Sequence, residues 1–144
     1  MTTLKKFLDL NKNRKIWTTS KDQSVRQALI LMSENNIGAI IIVDNNDCPI
    51  GIFSERDYAR KVILKGKSSK DTLLDEVMTK NLITVTKDYR IDKCMEIINQ
   101  KKIRHLPVLE NKKIVGIISI RDVLKIMMEE QKILIDDLQK FITT

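Results

Sequence analysis

Four apolar positions spaced i, i+3, i+4 and i+7 occur twice in the chain: Val25, Ala28, Leu29 and Met32, then Ile91, Cys94, Met95 and Ile98. That spacing places each set on one face of a helix. Asp22 or Ser24 stands where a cap for the first helix belongs, and Asp88 where one for the second belongs. A near-continuous apolar run follows each helix, residues 37–43 and 103–109, then a turn rich in Asn, Asp and Lys. A second apolar run comes next, residues 49–53 and 114–118, and a further helix begins near Ser54 or Ser119. Short extended pieces, residues 16–19 and 82–85, precede the two amphipathic helices. Short apolar runs bounded by turn residues read as strands. The order is therefore β-α-β-β-α, twice, which predicts an α+β (α/β) fold. Its strands form a sheet covered on one face by helices, or two sheets packed together.

The two halves are copies. Residues 37–45 sit over residues 103–111 at an offset of 66, and Gly51-Ile52-Phe53-Ser54-Glu55-Arg56-Asp57 over Gly116-Ile117-Ile118-Ser119-Ile120-Arg121-Asp122 at 65. The one-residue slip falls in the turns, where a length change is cheap. A half of this size buries too little surface to stand alone, so the copies are read as one pseudo-two-fold unit. The expected boundaries are an N-terminal segment with a short helix (1–15), repeat 1 (16–64), a linker (65–74), repeat 2 (75–128) and a helical extension (129–144). Leu4, Phe7 and Leu8 form one face of the N-terminal helix, and Gly66, Ser68 and Ser69 break the linker. The last helix is expected from Arg121 to Lys140, with apolar residues every three to four positions. Its first half is expected to pack on its own repeat. Its second half has two readings, a dimer seam or a fold back onto the same chain.

Composition narrows the function. The aliphatic supply is large and aromatics are only 4%, so the core is aliphatic. No apolar run approaches the roughly 18 residues of a membrane span, and the N-terminus lacks the pattern of a secretory signal. Cys48 and Cys94 form neither a metal nor a disulfide pattern, so each reads as a small packing residue in a reducing cytoplasm. A single His argues against His-based metal sites. No nucleophile–base set, nucleophile elbow or phosphate loop is present, so catalysis is not expected. The net charge of +7 favours anionic ligands and admits nucleic acid as a partner. Against nucleic acid, aromatics are too few for a stacking platform and no recognition motif is present.

The motif G-h-h-S-x-R-D, present in both copies, has two compatible meanings. Ser followed three residues later by Asp is a capping box at a strand-to-helix junction. The same junction offers free N–H groups to a phosphate, and its carboxylate can accept hydrogen bonds from vicinal hydroxyls. Capping alone does not call for Gly, Ser, Arg and Asp together in both copies.

Tandem β-α-β-β-α repeats carrying I-R-H-L-P-V-L and G-I-I-S-I-R-D-V-L resemble a pair of CBS (cystathionine-β-synthase) domains, a Bateman module, over about residues 10–130. The resemblance implies a non-catalytic regulator that binds AMP (the first candidate), ADP, ATP, S-adenosylmethionine or NAD(H). It implies two crossed clefts. One would use Trp17, Thr18, Ile37 and Ala39 with Ser119, Arg121 and Asp122. The other would use Thr79, Ile83, Thr84, Ile103, Arg104, His105 and Pro107 with Ser54, Arg56 and Asp57. In each, the Asp would hold ribose hydroxyls, strand residues would sandwich adenine, and the cations would neutralise phosphate. The second cleft is the more positive, because Arg104 and His105 replace Gly38 and Ala39. Trp17 is either a packed core aromatic or a stacking plane for a base. Pro107 marks a strand edge or a bulge. The family also implies a homodimer through residues 25–32, 59–64 and 91–98, and a regulated protein partner. The alternatives are an interaction module with empty clefts and a nucleic-acid binder.

Overall fold

The structure, a computed structural model, describes residues 2–143. It divides into two units, one formed by Lys15–Ile83 and Asn111–Ile114, the other by Met1–Arg14, Thr84–Glu110 and Val115–Thr144. The N-terminal segment thus belongs with the second repeat. The architecture is α+β.

In the unit holding the first repeat, β1 (Thr18–Thr19) runs parallel to β2 (Ala39–Val43), and β2 runs antiparallel to β3 (Pro49–Ser54). The register places Ile41 beside Thr18 and Ile52, and Ala39 beside Ser54. It slips between Ile42 and Val43, where Val43 meets Pro49, a residue with no N–H for the ladder. Helix α2 (Val25–Glu34) opens on Ser24 rather than Asp22. The Ser24 hydroxyl accepts from the Gln27 N–H at 3.1 Å, and Gln27 Oε1 accepts from the Ser24 N–H at 2.9 Å. Its buried face, Val25, Ala28 and Met32, packs with Ile40, Ile42, Phe53 and Val62. Helix α3 (Glu55–Asp57) passes at once into a π-helical turn, Tyr58–Ile63. The stretch expected as linker ends inside this core: Thr72 and Leu74 are buried, and Leu74 opens α4 (Leu74–Val77). Backbone bonds fasten it to α2, from Val25 N to Thr72 O and from Leu74 N to Gln23 O, both 2.9 Å.

The other unit holds α1 (Leu4–Leu10), α5 (Ile91–Lys101), β4 (His105–Glu110), β5 (Lys113–Ser119) from Val115 onward, and α6 (Ile120–Thr143). Strands β4 and β5 pair, and α5 packs on α6. Leu4, Phe7, Ile91, Cys94, Ile98, Leu106, Val108, Ile118 and Val123 are buried. Burial pushes the Cys94 thiol up to about 11, so it is inert as a nucleophile.

Four sequence expectations need correction. The extended piece at 82–85 is no strand: Leu82 turns back to Lys80 O, and Val85 alone bridges to β4, donating to Pro107 O and accepting from Leu109 N. Only Thr18 and Thr19 of residues 16–19 are strand. Asp88 does not cap α5; its N-cap is Arg90, with no side-chain bond, and the Ile91 N–H is satisfied by Thr2 O at 2.9 Å. Cys48 is no core residue but sits half-buried in the β2–β3 turn.

The N-terminal segment therefore acts as a strap on the second repeat. Leu4 N donates to Tyr89 O and Lys5 N to Lys87 O, each at 2.9 Å, and Thr2 N donates to Glu130 Oε1 at 2.9 Å. The hydrogen bond from Thr2 holds the Glu130 carboxyl below its ordinary range, against a smaller opposing effect of burial. A lowered carboxyl stabilises the fold above its unfolded pKa, and the contribution disappears as pH falls through the folded value. Wild type should thus melt above Glu130→Gln at neutral pH, and the gap should narrow progressively as pH falls below the ordinary Glu value of about 4.3. Melting curves of both proteins across pH check this; a gap that persists in acid would refute it.

A Cβ on Gly51 would lie 2.6 Å from Met78 Sδ and 3.2 Å from the Thr79 carbonyl oxygen. One on Gly116 would meet only the tip of Leu8 within 3.9 Å, at 2.5 Å. A backbone carbonyl cannot swing aside as a leucine tip can. Gly51→Ala should cost about 1–3 kcal/mol by overpacking, and Gly116→Ala less. Urea unfolding of the pair reads the order, and the reverse order would contradict the packing described.

Candidate functional site

Two strand-to-helix junctions share one geometry. Ser54 ends β3 in an extended conformation, and its hydroxyl accepts from the Asp57 N–H at 3.1 Å. Asp57 returns one oxygen, Oδ2, which accepts from Ser54 N at 3.0 Å and Ser54 Oγ at 3.1 Å. In the second copy Ser119 Oγ accepts from Asp122 N at 3.1 Å, and Asp122 Oδ2 accepts from Ser119 N and Oγ, both at 2.9 Å. The capping box is therefore real in both copies.

The cap uses one carboxylate oxygen and leaves Oδ1 for other partners. Asp57 Oδ1 accepts from the Thr79 hydroxyl at 3.2 Å and pairs with Lys61 Nζ at 3.2 Å, while Lys61 also donates to Thr79 Oγ1 at 3.1 Å. Asp122 meets Arg14: Nη1 lies 3.4 Å from Oδ1 and 3.3 Å from Oδ2, and Nη2 lies 3.5 Å from Oδ1. The Arg14 guanidinium also lies 5.4 Å from the centre of the Phe7 ring. Both carboxylates are largely covered, with side chains 14% and 20% exposed, whereas Lys61 and Arg14 are 41% and 48% exposed. Ion pairs with such solvent-facing cations contribute about 0–1 kcal/mol. At Asp57 the Thr79 hydroxyl also occupies Oδ1, whereas at Asp122 the cation is the one side-chain partner outside the cap among the bonds described.

The other predicted residues are distributed between the units. With Asp57 and Thr79 stand Trp17, Thr18, Ile37, Ala39, Arg56 and Ile83. Trp17 is half-buried against the core, and Lys15 Nζ sits 4.1 Å from its ring centre. Thr18 is exposed in β1 and Ala39 is buried in β2. Ile37 is the one predicted residue among those lining a groove of about 540 Å³ with Leu29, Met32 and Glu55. With Asp122 stand Thr84, Ile103, Arg104, His105, Pro107, Ser119 and Arg121. Arg104 and Arg121 are exposed, Thr84, Ile103 and His105 half-buried, and Pro107 buried within β4. Among the described residues, no three His, Cys, Asp or Glu side chains cluster as a metal site would need.

Two residues escaped the sequence reading. Lys61 carries a usable signal, because a Lys four positions after an Asp lies on the same helix face. Arg14 carries none, since 108 residues separate it from Asp122.

The CBS domain family model matches residues 9–64 and again residues 74–129. The chain belongs to the CBS-domain family. It is a tandem pair, and solved structures of such pairs share its fold. A signal-transduction protein with CBS domains from Burkholderia ambifaria MC40-6 superposes with a TM-score of 0.85 at 41% identity, over 90% of this chain and 96% of that one. The CBS pair of protein MJ0100, solved in complex with 5′-methylthioadenosine and S-adenosyl-L-methionine, gives 0.73 at 25% identity, over 79% and 92%. A curated relative, CBSX3 of Arabidopsis thaliana, described as mitochondrial, is 36% identical over 81% of this chain. This CBS pair spans 58% of that relative's length. No helix among the described residues is long and apolar enough to cross a membrane.

If the Ser hydroxyl holds each junction, Ser54→Ala and Ser119→Ala should each cost about 1 kcal/mol, the usual worth of an N-cap. Lys61→Ala should stay within about 0.5 kcal/mol of wild type. Denaturant titrations of the three variants test the difference. A Lys61→Ala loss as large as that of Ser54→Ala would mean that the ion pair, not the cap, secures the junction.

Proposed function

We infer that this CBS pair is a non-catalytic regulatory module that binds an adenosyl ligand through Asp57 and Asp122, with AMP the first candidate. The observation that carries the reading is the division of labour within each carboxylate. Oδ2 closes the cap, while Oδ1 faces a solvent-exposed cation and, at Asp57, also the Thr79 hydroxyl. Two vicinal ribose hydroxyls fit that acceptor, and bonds to a charged acceptor are the stronger kind. In this reading Lys61, Arg14, Arg56, Arg121, Arg104 and His105 are the cations assigned to neutralise a phosphate. The complex of the MJ0100 pair with two adenosyl compounds supports the ligand class.

Binding would be read out through assembly and a regulated protein partner. Ile30, Ile63 and Leu64 are exposed apolar residues on the segments expected to form a homodimer, which supports association. A hexameric CBS-CP12 protein from bloom-forming cyanobacteria shows that CBS proteins form higher assemblies. Free Cys48 and Cys94 fit a reducing compartment, the cytoplasm in this reading.

A thermal-shift series with AMP, ADP, ATP, S-adenosylmethionine and NAD(H) tests the proposal. A ligand at 100 times its Kd adds about 2.7 kcal/mol, which is roughly 5–10 °C for a domain of this size. The shift should appear with an adenosyl ligand and vanish in Asp57→Ala or Asp122→Ala, whichever carries the working site. No shift with any of the five returns both junctions to plain helix caps and favours the interaction module.

A further inference from the structure

Helix α6 outruns the body it starts on. Val123 is buried, and Glu130 is fastened to Thr2, but every described residue from 131 to 143 is exposed. Of the two readings of this half, a seam or a fold back onto its own chain, the fold back is not seen among the described residues. The free part is about 20 Å long at 1.5 Å per residue. A helix that short is marginal in water unless something covers it.

Most of its exposed apolar residues fall on one stripe; Leu134 and Phe141, 59% and 82% exposed, flank it, and Ile133, 61% exposed, lies on the far side. Leu124, Met128, Gln131, Ile135, Leu138 and Ile142 follow one another at spacings of four, three, four, three and four. The five apolar members are 44%, 68%, 53%, 53% and 80% exposed. That spacing is the seam of a coiled coil, so the surface fits another helix. Met128, Ile135 and Ile142 take the a positions, and Leu124, Gln131 and Leu138 the d positions. Ile at a with Leu at d favours two parallel strands.

Gln131 selects the occupant. A polar residue in a seam sets register by pairing with a polar residue of the partner. Only a second copy, parallel and in register, brings a Gln side chain opposite Gln131 and lets each amide bond the other. A fully overlapped antiparallel pair sets Gln131 against the partner's Ile135, which leaves the amide unpaired at a cost. It also brings the two Lys132 ammoniums together. In the parallel pair no like charges oppose each other across the seam: Met127 flanks the partner's Lys132, and Leu134 flanks the partner's Gln139. Glu129, Asp136 and Asp137 stay on the outer face.

We propose that residues 124–142 of α6 pair with the same residues of a second copy as a parallel, in-register two-stranded coiled coil. The first turns of α6 are already helical on their own unit, so the seam elongates an existing helix and needs no new nucleus. This pairing is independent of any ligand.

Site-directed cross-linking of the full chain in a Cys48→Ser background tests it. Leu138→Cys lies in the seam facing its own copy, and Asp137→Cys points outward. Disulfide geometry demands close Cα atoms, so mild oxidation should give covalent dimer at least about tenfold faster for Leu138→Cys. Adding Ile135→Asp to Leu138→Cys should abolish the difference. Equal rates at the two positions, or no dimer from either, overturns the pairing. Faster cross-linking between separately labelled Leu124→Cys and Ile142→Cys chains than within Leu138→Cys overturns the parallel register.

Discussion

Each strand-to-helix junction depends on a carboxylate that must satisfy a helix N-terminus before it does anything else. Four N–H groups at a helix start have no partner within the helix. In both copies the Ser hydroxyl takes one of them, and the Asp returns Oδ2 to the Ser backbone. Those bonds fix the Asp rotamer, so the position of Oδ1 follows from the cap. A freely rotating surface Asp would have to be ordered by its ligand at an entropic cost. Here folding has already done so, so the proposed binding role would draw on an order that the cap supplies.

The two copies hold the second oxygen by different routes. In the first, Lys61 comes from the π-helical turn that follows Asp57 directly, and Thr79 from the segment after α4. In the second, Arg14 comes from the N-terminal segment, whose α1 is anchored by buried Leu4 and Phe7 and whose start is hydrogen-bonded to Glu130 and Ile91. The first arrangement is local and follows from helix geometry. The other requires the chain terminus to return to the second repeat. A change at Asp122 is therefore coupled through Arg14 to a strap on α5 and α6, whereas a change at Asp57 has no such route.

The parts of this fold that were legible in the sequence are those determined by neighbours in the chain. The apolar faces of α2 and α5, the paired apolar runs and the Ser–Asp caps each follow from spacing over a few residues. What was illegible depends on partners far away. Asp88 has the chemistry of a cap, but α5 starts later and takes its acceptor from Thr2, which no local rule foresees. Residues 82–85 have strand composition, yet only Val85 finds a strand to join. Leu74 looked like linker because Gly and Ser precede it, and it is fully buried because Gln23 and Val25 tie its neighbourhood to α2. In the site the same division holds: Lys61 sits one helical turn from Asp57, while Arg14 approaches Asp122 from the far end of the chain.

At the strand-to-helix junction, one backbone bond is common to both copies although the side chains beside it differ. Gly38 O accepts from Glu55 N at 3.1 Å, and Arg104 O accepts from Ile120 N at 2.8 Å, the same bond at the same place in each repeat. The side chains on that shared frame are unlike: hydrogen and methyl at Gly38 and Ala39, guanidinium and imidazole at Arg104 and His105. A backbone bond tolerates side-chain exchange because neither of its partners is a side chain. That frame can thus stay constant while charge and volume beside it change. In a duplicated fold, that separation lets one copy gain positive charge without disturbing the junction on which both depend.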